Sequence, residues 1–334
     1  MFFTILALLG SIALVFVAAL IFVNTIEWLG YRFNLGRSFV GTILAPLFTS
    51  FPELTVFLVA IFSVGNTGES IGIGTIFGQP FMASSLSYGM VGIAVVVGFL
   101  LHRRKGVILK VDKSLAVPYI FITILFPLTL IPSFIPGHSI KYIFAVFFLA
   151  AFLFYLWLMF KRKTAEMIEE SEETYISRVL PKNERVQLGG AVFQLLVAVG
   201  LLYWGSERMV HSVSSLSQSI QVSPLGLALI VVPAATALPE TISAIIWGYR
   251  GKDTLSLGSL VGEKILFSTF YPALGMFLTS WTLDIHTYLS VIATTVISLI
   301  LLLFVLRTKI PWYALLSGIF FFTFYAVMIF VFRV

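Results

Sequence analysis

The chain has 334 residues, 59% of them hydrophobic and only 11% charged, with a mean hydropathy of +1.03. A soluble domain carries about 25% charged residues, so this composition excludes a water-soluble globule and specifies a protein of the bilayer. A net charge of +6 and a pI near 9.5 would suggest nucleic acid in a soluble protein; here the basic residues report orientation instead. With no cysteine, disulfides and thiolate metal ligands are also excluded.

The first apolar stretch, Phe2 to about Val23, has no basic segment before it and is too long for an ordinary signal core. It is read as a span. Runs of roughly 20 apolar residues then predict ten helices, approximately 2–26, 38–64, 71–100, 114–132, 140–160, 187–206, 224–248, 255–280, 287–306 and 311–332. Seventeen of the 21 Lys and Arg residues fall in alternate loops, for example Arg103, Arg104 and Lys105 after the third span and Arg178, Lys182 and Arg185 before the sixth. The positive-inside rule makes those loops cytoplasmic and puts both termini outside. The linker 161–186 is rich in Glu and in basic residues and is too short for a domain, so a solvated, partly helical connector is expected.

The second and seventh spans each carry one short motif, Thr49-Ser50-Phe51-Pro52-Glu53 and Thr236-Ala237-Leu238-Pro239-Glu240. Each is followed by a spaced glycine pair, Gly74…Gly78 and Gly258…Gly262, about 184 residues apart in the chain. The two copies lie five spans apart and therefore cross the bilayer in opposite directions. The expected architecture is an all-α polytopic membrane protein of two inverted five-helix repeats, 1–160 and 187–334, with helices 2 and 7 broken. Glu27 and Glu207 end the first span of each half, where snorkelling or capping accounts for them.

A glutamate in hydrocarbon is costly, and a proline beside it interrupts the helix that would shield the backbone. Ser50 has the place of an N-cap, and Glu53 that of a capping-box acid. The second copy replaces that serine with Ala237 yet keeps Thr236 and Glu240, so the retained group is the carboxylate. The glycine pairs allow close helix packing. Gln79 follows one pair, Glu263 and Lys264 the other.

These paired T-S-x-P-E-like motifs, each followed by G-x-x-x-G, resemble the Ca²⁺/cation antiporter superfamily, and the prokaryotic Na⁺/Ca²⁺ exchanger branch in particular. The resemblance implies a secondary antiporter in a prokaryotic cell membrane, exchanging Ca²⁺ or a related divalent cation for Na⁺. A proton-coupled exchanger of the same fold is the alternative. No cofactor, nucleic acid or enzyme activity is implied; the partners are inorganic cations and the bilayer. Glu53 and Glu240 look like the central ligands, and Thr49, Ser50 and Thr236 like the oxygen donors beside them. Calcium takes six to eight oxygens, which suits this set. The chain departs from the family where its further amide and acid fall on Ala83 and Phe267. An amide and an acid reappear four residues earlier as Gln79 and Glu263, one helical turn away on the same face. Lys264 has three readings: an ion-pair partner, a stand-in for a bound Na⁺, or a coupling group. A channel or scaffold that lost its ligands is the reading from another class, and Ala83 and Phe267 are its support. The histidines are expected in loops or near an interface, away from the glutamates.

Overall fold

A computed structural model describes residues 2–32, 50–63, 65–135, 138–161 and 173–332. The chain is helical almost throughout. It runs α1 (Phe2–Arg32), α2 (Phe51–Ser63), α3 (Gly65–Met82), a π-helical segment Ala83–Ser87, α4 (Tyr88–Leu100), α5 (Ala116–Leu128), the short α6 (Ile131–Phe134) and α7 (His138–Lys161). The second half runs α8 (Glu184–Ile220), α9 (Pro224–Thr236), α10 (Leu238–Tyr249), α11 (Asp253–Ser268), α12 (Phe270–Leu278), α13 (Ile285–Leu306) and α14 (Trp312–Phe330).

Among the described residues, seven helices are long and apolar enough to cross a membrane, and the pair α9 and α10, bent by 63°, makes an eighth. The expected span 255–280 is two shorter helices, α11 and α12, broken at Thr269. The first part of the expected span 38–64 lies outside the described residues. The helix α8, the sixth expected span, differs most from expectation. It has 37 residues, where 187–206 was anticipated, because its polar last turns, rich in serine, continue the helix beyond the apolar run. Gln221 then ends it in the left-handed conformation (φ 57°). Ser223 caps α9 by accepting from the Gly226 amide, with Pro224 at the first helical position.

Two apolar cores divide the molecule. The larger joins α3, α4, α5, α7, α11, α12, α13 and α14, and a smaller one joins α1 and α8 to α2 and α9. Within the smaller core, Gly205 of α8 sits where a Cβ would come within 2.9 Å of Val15, beside Ala18, Ala19 and Ala198. Small residues here let the two long helices approach closely. Gly74 and Gly78 act likewise between the halves. A Cβ on either would meet the carbonyl oxygens of Leu225 and Leu229 in α9 at 2.6 and 2.5 Å. The expected packing of span three against a broken helix is therefore present. In the other half, a Cβ on Gly258 would meet only Leu115 among the described residues, and one on Gly262 would meet nothing within 4 Å.

The loops form two separate hydrogen-bonded sets. In one, strand β1 (Ile108–Lys110) pairs antiparallel with β2 (Lys309–Pro311), and Arg104 bonds the Gly248 carbonyl at 2.7 Å. Arg32 pairs with Glu184 at 2.7 Å. In the other, Lys141 bonds the Thr279 carbonyl at 2.6 Å, Trp281 donates to the Thr129 carbonyl, and Ser223 donates to Asp284. Among the described residues, no hydrogen bond joins a loop of one set to a loop of the other.

Candidate functional site

The site is assembled where α2, α3, α10 and α11 begin or pass through the interior. Glu53 lies in the first turn of α2 and Glu240 in the first turn of α10. The helix interruption at Ala237 has no side-chain cap, and the Ala237 carbonyl simply accepts the Thr241 amide at 3.0 Å. Ser50 is buried just ahead of α2, and its carbonyl accepts both the Leu54 amide and the Tyr271 hydroxyl. Thr49 lies outside the described residues.

Gln79 of α3 is the centre of the arrangement. Its Nε2 donates to Glu263 Oε2 at 3.1 Å and, more weakly, to Glu53 Oε1 at 3.5 Å. One amide therefore spans two carboxylates contributed by opposite halves of the chain. Glu53 and Gln79 are 1% exposed and Glu263 is 6% exposed. Glu240 lies within electrostatic reach of both Glu263 and Glu53, and Thr236 lies beside the Glu53 carboxylate. Glu53 Oε2, Glu240 Oε2, Glu263 Oε1 and Gln79 Oε1 are buried without a hydrogen-bond partner. An unpartnered buried oxygen costs about 1–3 kcal/mol, so four in one region form an oxygen-rich locus suited to a hard cation. Among the described residues, no three acidic or imidazole side chains close into a metal-sized cluster. The Gln79 amide stands between Glu53 and Glu263 instead.

Lys264 does not join this group. It is fully buried, donates to Ser84 Oγ at 2.9 Å, and sits over the rings of Tyr88 and Tyr119 at 4.4 and 5.5 Å. Those two tyrosines bond each other through their hydroxyls at 2.7 Å. Among the described residues Lys264 makes no ion pair, so the salt-bridge reading does not hold there. Its helix face explains the separation: one residue after Glu263, it is turned about 100° away.

Three neighbours had escaped the sequence reading. Ser84, Tyr88 and Tyr119 form the lysine pocket, and the only hint in the sequence was buried hydroxyls near a lone apolar-embedded lysine. Tyr271 was also missed; it and Phe267 flank the break at Thr269. Their rings stack with centroids 4.2 Å apart, so Phe267 supports Tyr271 rather than filling an idle ligand position. Ala83 opens the π-helical segment, and such segments are frequent at functional sites. Two histidines expected in loops are corrected, and His138 is the first residue of α7. His286 is not in a loop but lies buried in α13 against Tyr325, because Asp284 caps that helix two residues earlier than expected.

A family profile for the sodium/calcium exchanger protein matches residues 3–161 and 190–334, nearly the whole chain. The chain belongs to the sodium/calcium exchanger protein family. It is thus a member of a family of secondary transporters and not an enzyme. Among exchanger relatives, the putative antiporter CaxA of Alkalimonas amylolytica is 24% identical over 78% of this chain and 76% of its own length. The inner membrane protein YrbG of Escherichia coli is also 24% identical, over 77% of this chain and 74% of its own. The fold is that of solved exchangers. The H⁺/Ca²⁺ exchanger CAX superimposes with a TM-score of 0.70 at 19% identity, covering 98% of this chain and 81% of that one. The sodium-calcium exchanger NCX_Mj gives 0.57 at 20% identity over 98% and 97%.

Proposed function

We propose that this exchanger-family protein is a secondary antiporter moving Ca²⁺, or a related divalent cation, against Na⁺ by alternating access. The observation that carries the reading is the single Gln79 amide shared by Glu53 and Glu263, with partnerless carboxylate oxygens around it. Two opposite halves converge on one buried acidic locus, as a midplane site between repeats requires. In this reading Glu53, Glu240 and Glu263 supply charge. Gln79 turns its oxygen inward, and Thr49, Ser50 and Thr236 add neutral oxygens. The site is rebuilt one turn from its family position, through Gln79 and Glu263 in place of Ala83 and Phe267.

The ten-span topology and its division into repeats 1–160 and 187–334 with linker 161–186 belong to the same proposal. In this reading the seven continuous helices and the bent pair are joined by the α11–α12 pair and the helix ending at Ser63, which would make ten crossings. The two unmixed loop sets fit that alternation, since every basic loop named above bonds only within its own set. Those loops would be cytoplasmic in a prokaryotic cell membrane, with both termini outside. The separate small core of α1 and α8 suits helices that slide past a fixed site.

A second reading, proton coupling, is favoured by one observation. Both lone pairs of the Ser50 carbonyl are taken, by the Leu54 amide and the Tyr271 hydroxyl, which leaves one fewer neutral oxygen for a cation. A proton needs one carboxylate oxygen, whereas Na⁺ needs several. Ca²⁺ uptake into proteoliposomes, driven by a Na⁺ gradient or by a pH gradient in separate experiments, decides between them. Na⁺-driven uptake is expected; uptake under neither gradient would sink the antiporter reading.

A further inference from the structure

The duplication extends further than the glycine pairs. Glu69–Gln79 aligns without a gap on Asp253–Glu263, and each segment opens with an acid followed by a hydroxyl residue, Glu69-Ser70 and Asp253-Thr254. An acid in the first turns of a helix ordinarily accepts from that helix's own amides or simply faces its dipole. Neither of these does so among the described residues; each binds a loop of the other half.

Glu69, in the second turn of α3, accepts from the Ser280 amide at 2.6 Å and from the Ser280 hydroxyl. Asp253, the first residue of α11, accepts from the Lys110 amide at 2.8 Å and is forked by Arg104, with contacts at 3.1 and 3.3 Å. The two bonds lie on opposite loop sets, hence on opposite membrane faces in the topology above. They are the same contact repeated by the inverted duplication, with different chemistry. The Glu69 contact is exposed and uses neutral donors. Arg104 and Asp253 are 4% and 6% exposed, and Arg104 also holds the Gly248 carbonyl at the end of α10. This one guanidinium therefore ties the far end of the helix bearing Glu240 to the start of the helix bearing Glu263. The Thr254 hydroxyl adds a bond from the Asp112 amide at 3.1 Å.

We propose that Glu69 and Asp253 are a matched pair of latches, one for each membrane face, and that Arg104 makes the latch on the basic-loop face the stronger. The inference rests on the alternating-access reading: each latch has to release before the site opens to its own side. Unequal latches bias the resting protein toward closure on the basic-loop face. Burial pushes the Asp253 carboxyl above the ordinary aspartate range, against the pull of the Lys110 amide and Arg104. A pair so buried is costly to break on one side alone, because the remaining charge is left without compensation.

The natural chain has no cysteine, so single introduced thiols are unambiguous reporters. Thr75→Cys in α3 and Thr241→Cys in α10 lie on either side of the acidic locus. In sealed vesicles of known orientation, each is labelled with a membrane-impermeant maleimide added to one face. Arg104→Gln is expected to raise labelling at position 241 from the basic-loop face about tenfold and to lower labelling at 75 from the other face. Glu69→Gln should do the reverse by about threefold. The double variant Arg104→Gln/Asp253→Asn leaves no lone charge but also no latch, so labelling at 241 should stay raised; a return to the parent level would trace the single-variant effect to the lone carboxylate and overturn the latch. Arg104→Lys keeps the charge without the fork and should fall between, which preserves the test if Arg104→Gln does not fold. Unchanged labelling, or equal increases on both faces, overturns the latch. Labelling requires no flux, so absence of Ca²⁺ transport by the parent would overturn the transport reading separately.

Discussion

The helices α3 and α11 descend from one pattern, yet they do different work. Gly74 and Gly78 press α3 onto the carbonyls of α9. Position 79 is an amide donor and its counterpart, 263, is an acceptor. The next pair diverges more: Pro80 lies inside α3 just before the π-helical segment, and Lys264 occupies the matching place in α11. Downstream, one helix is widened at Ala83–Ser87 and the other is broken at Thr269, at corresponding depth. Duplication thus preserved the backbone interruption and the spacing of the glycine pair. The charge was divided unequally, with the first half supplying the hydrogen-bond donor and the second supplying an extra acid and a buried lysine.

Several substitutions test that division, from the largest expected effect downward. Glu53→Gln and Glu240→Gln each remove a carboxylate from the first turn of a helix, α2 and α10. Ca²⁺ transport in proteoliposomes should fall about a hundredfold, because charge count sets the affinity of such sites, while thermal melting stays near that of the parent. A scaffold would tolerate both. Gly78→Ala places a methyl 2.5 Å from the Leu229 oxygen and 2.9 Å from its Cα, which backbone cannot yield cheaply. A loss of about 1–3 kcal/mol is expected in denaturant titration.

Glu263→Gln makes the two third helices chemically alike. Apparent Ca²⁺ affinity should weaken about tenfold, and adding Gln79→Glu should recover part of it by restoring the asymmetry in reverse. Equal activity of all three proteins would mean that the asymmetry is incidental. Lys264→Met is expected to have the smallest effect. It keeps the aliphatic bulk and leaves no lone carboxylate behind, so stability should hold or rise by about 1 kcal/mol. Transport should drop about threefold, since Ser84 and the tyrosine faces lose the cation that joins α11 to the π-helical segment. A larger fall would place Lys264 within the ion pathway itself.

Much of the candidate site was legible beforehand because intramembrane Pro-Glu pairs and duplicated glycines are rare in apolar sequence. Glu53, Gln79 and Glu263 were named from pattern and meet in space; Glu240 and Thr236 lie beside them. The partners that decide their geometry were not legible. Tyr271 reaches the Ser50 carbonyl across more than two hundred residues, and Ser84 reaches Lys264 across nearly as many. A lone tyrosine or serine in an apolar run carries no periodicity that distinguishes it from packing. The acids Glu69 and Asp253 were likewise ordinary helix-start residues by pattern, and only their loop partners set them apart.

Hydropathy, the loop distribution of Lys and Arg and the repeated motif follow from local composition, and together they determined a bilayer protein with an acidic locus at two helix breaks. Which carboxylates share a donor, and where Lys264 turns, was decided by tertiary structure alone. The physical reason is that a buried polar group must find its partner wherever the packed helices bring one. That choice depends on helix rotation and depth, which no single stretch of sequence encodes.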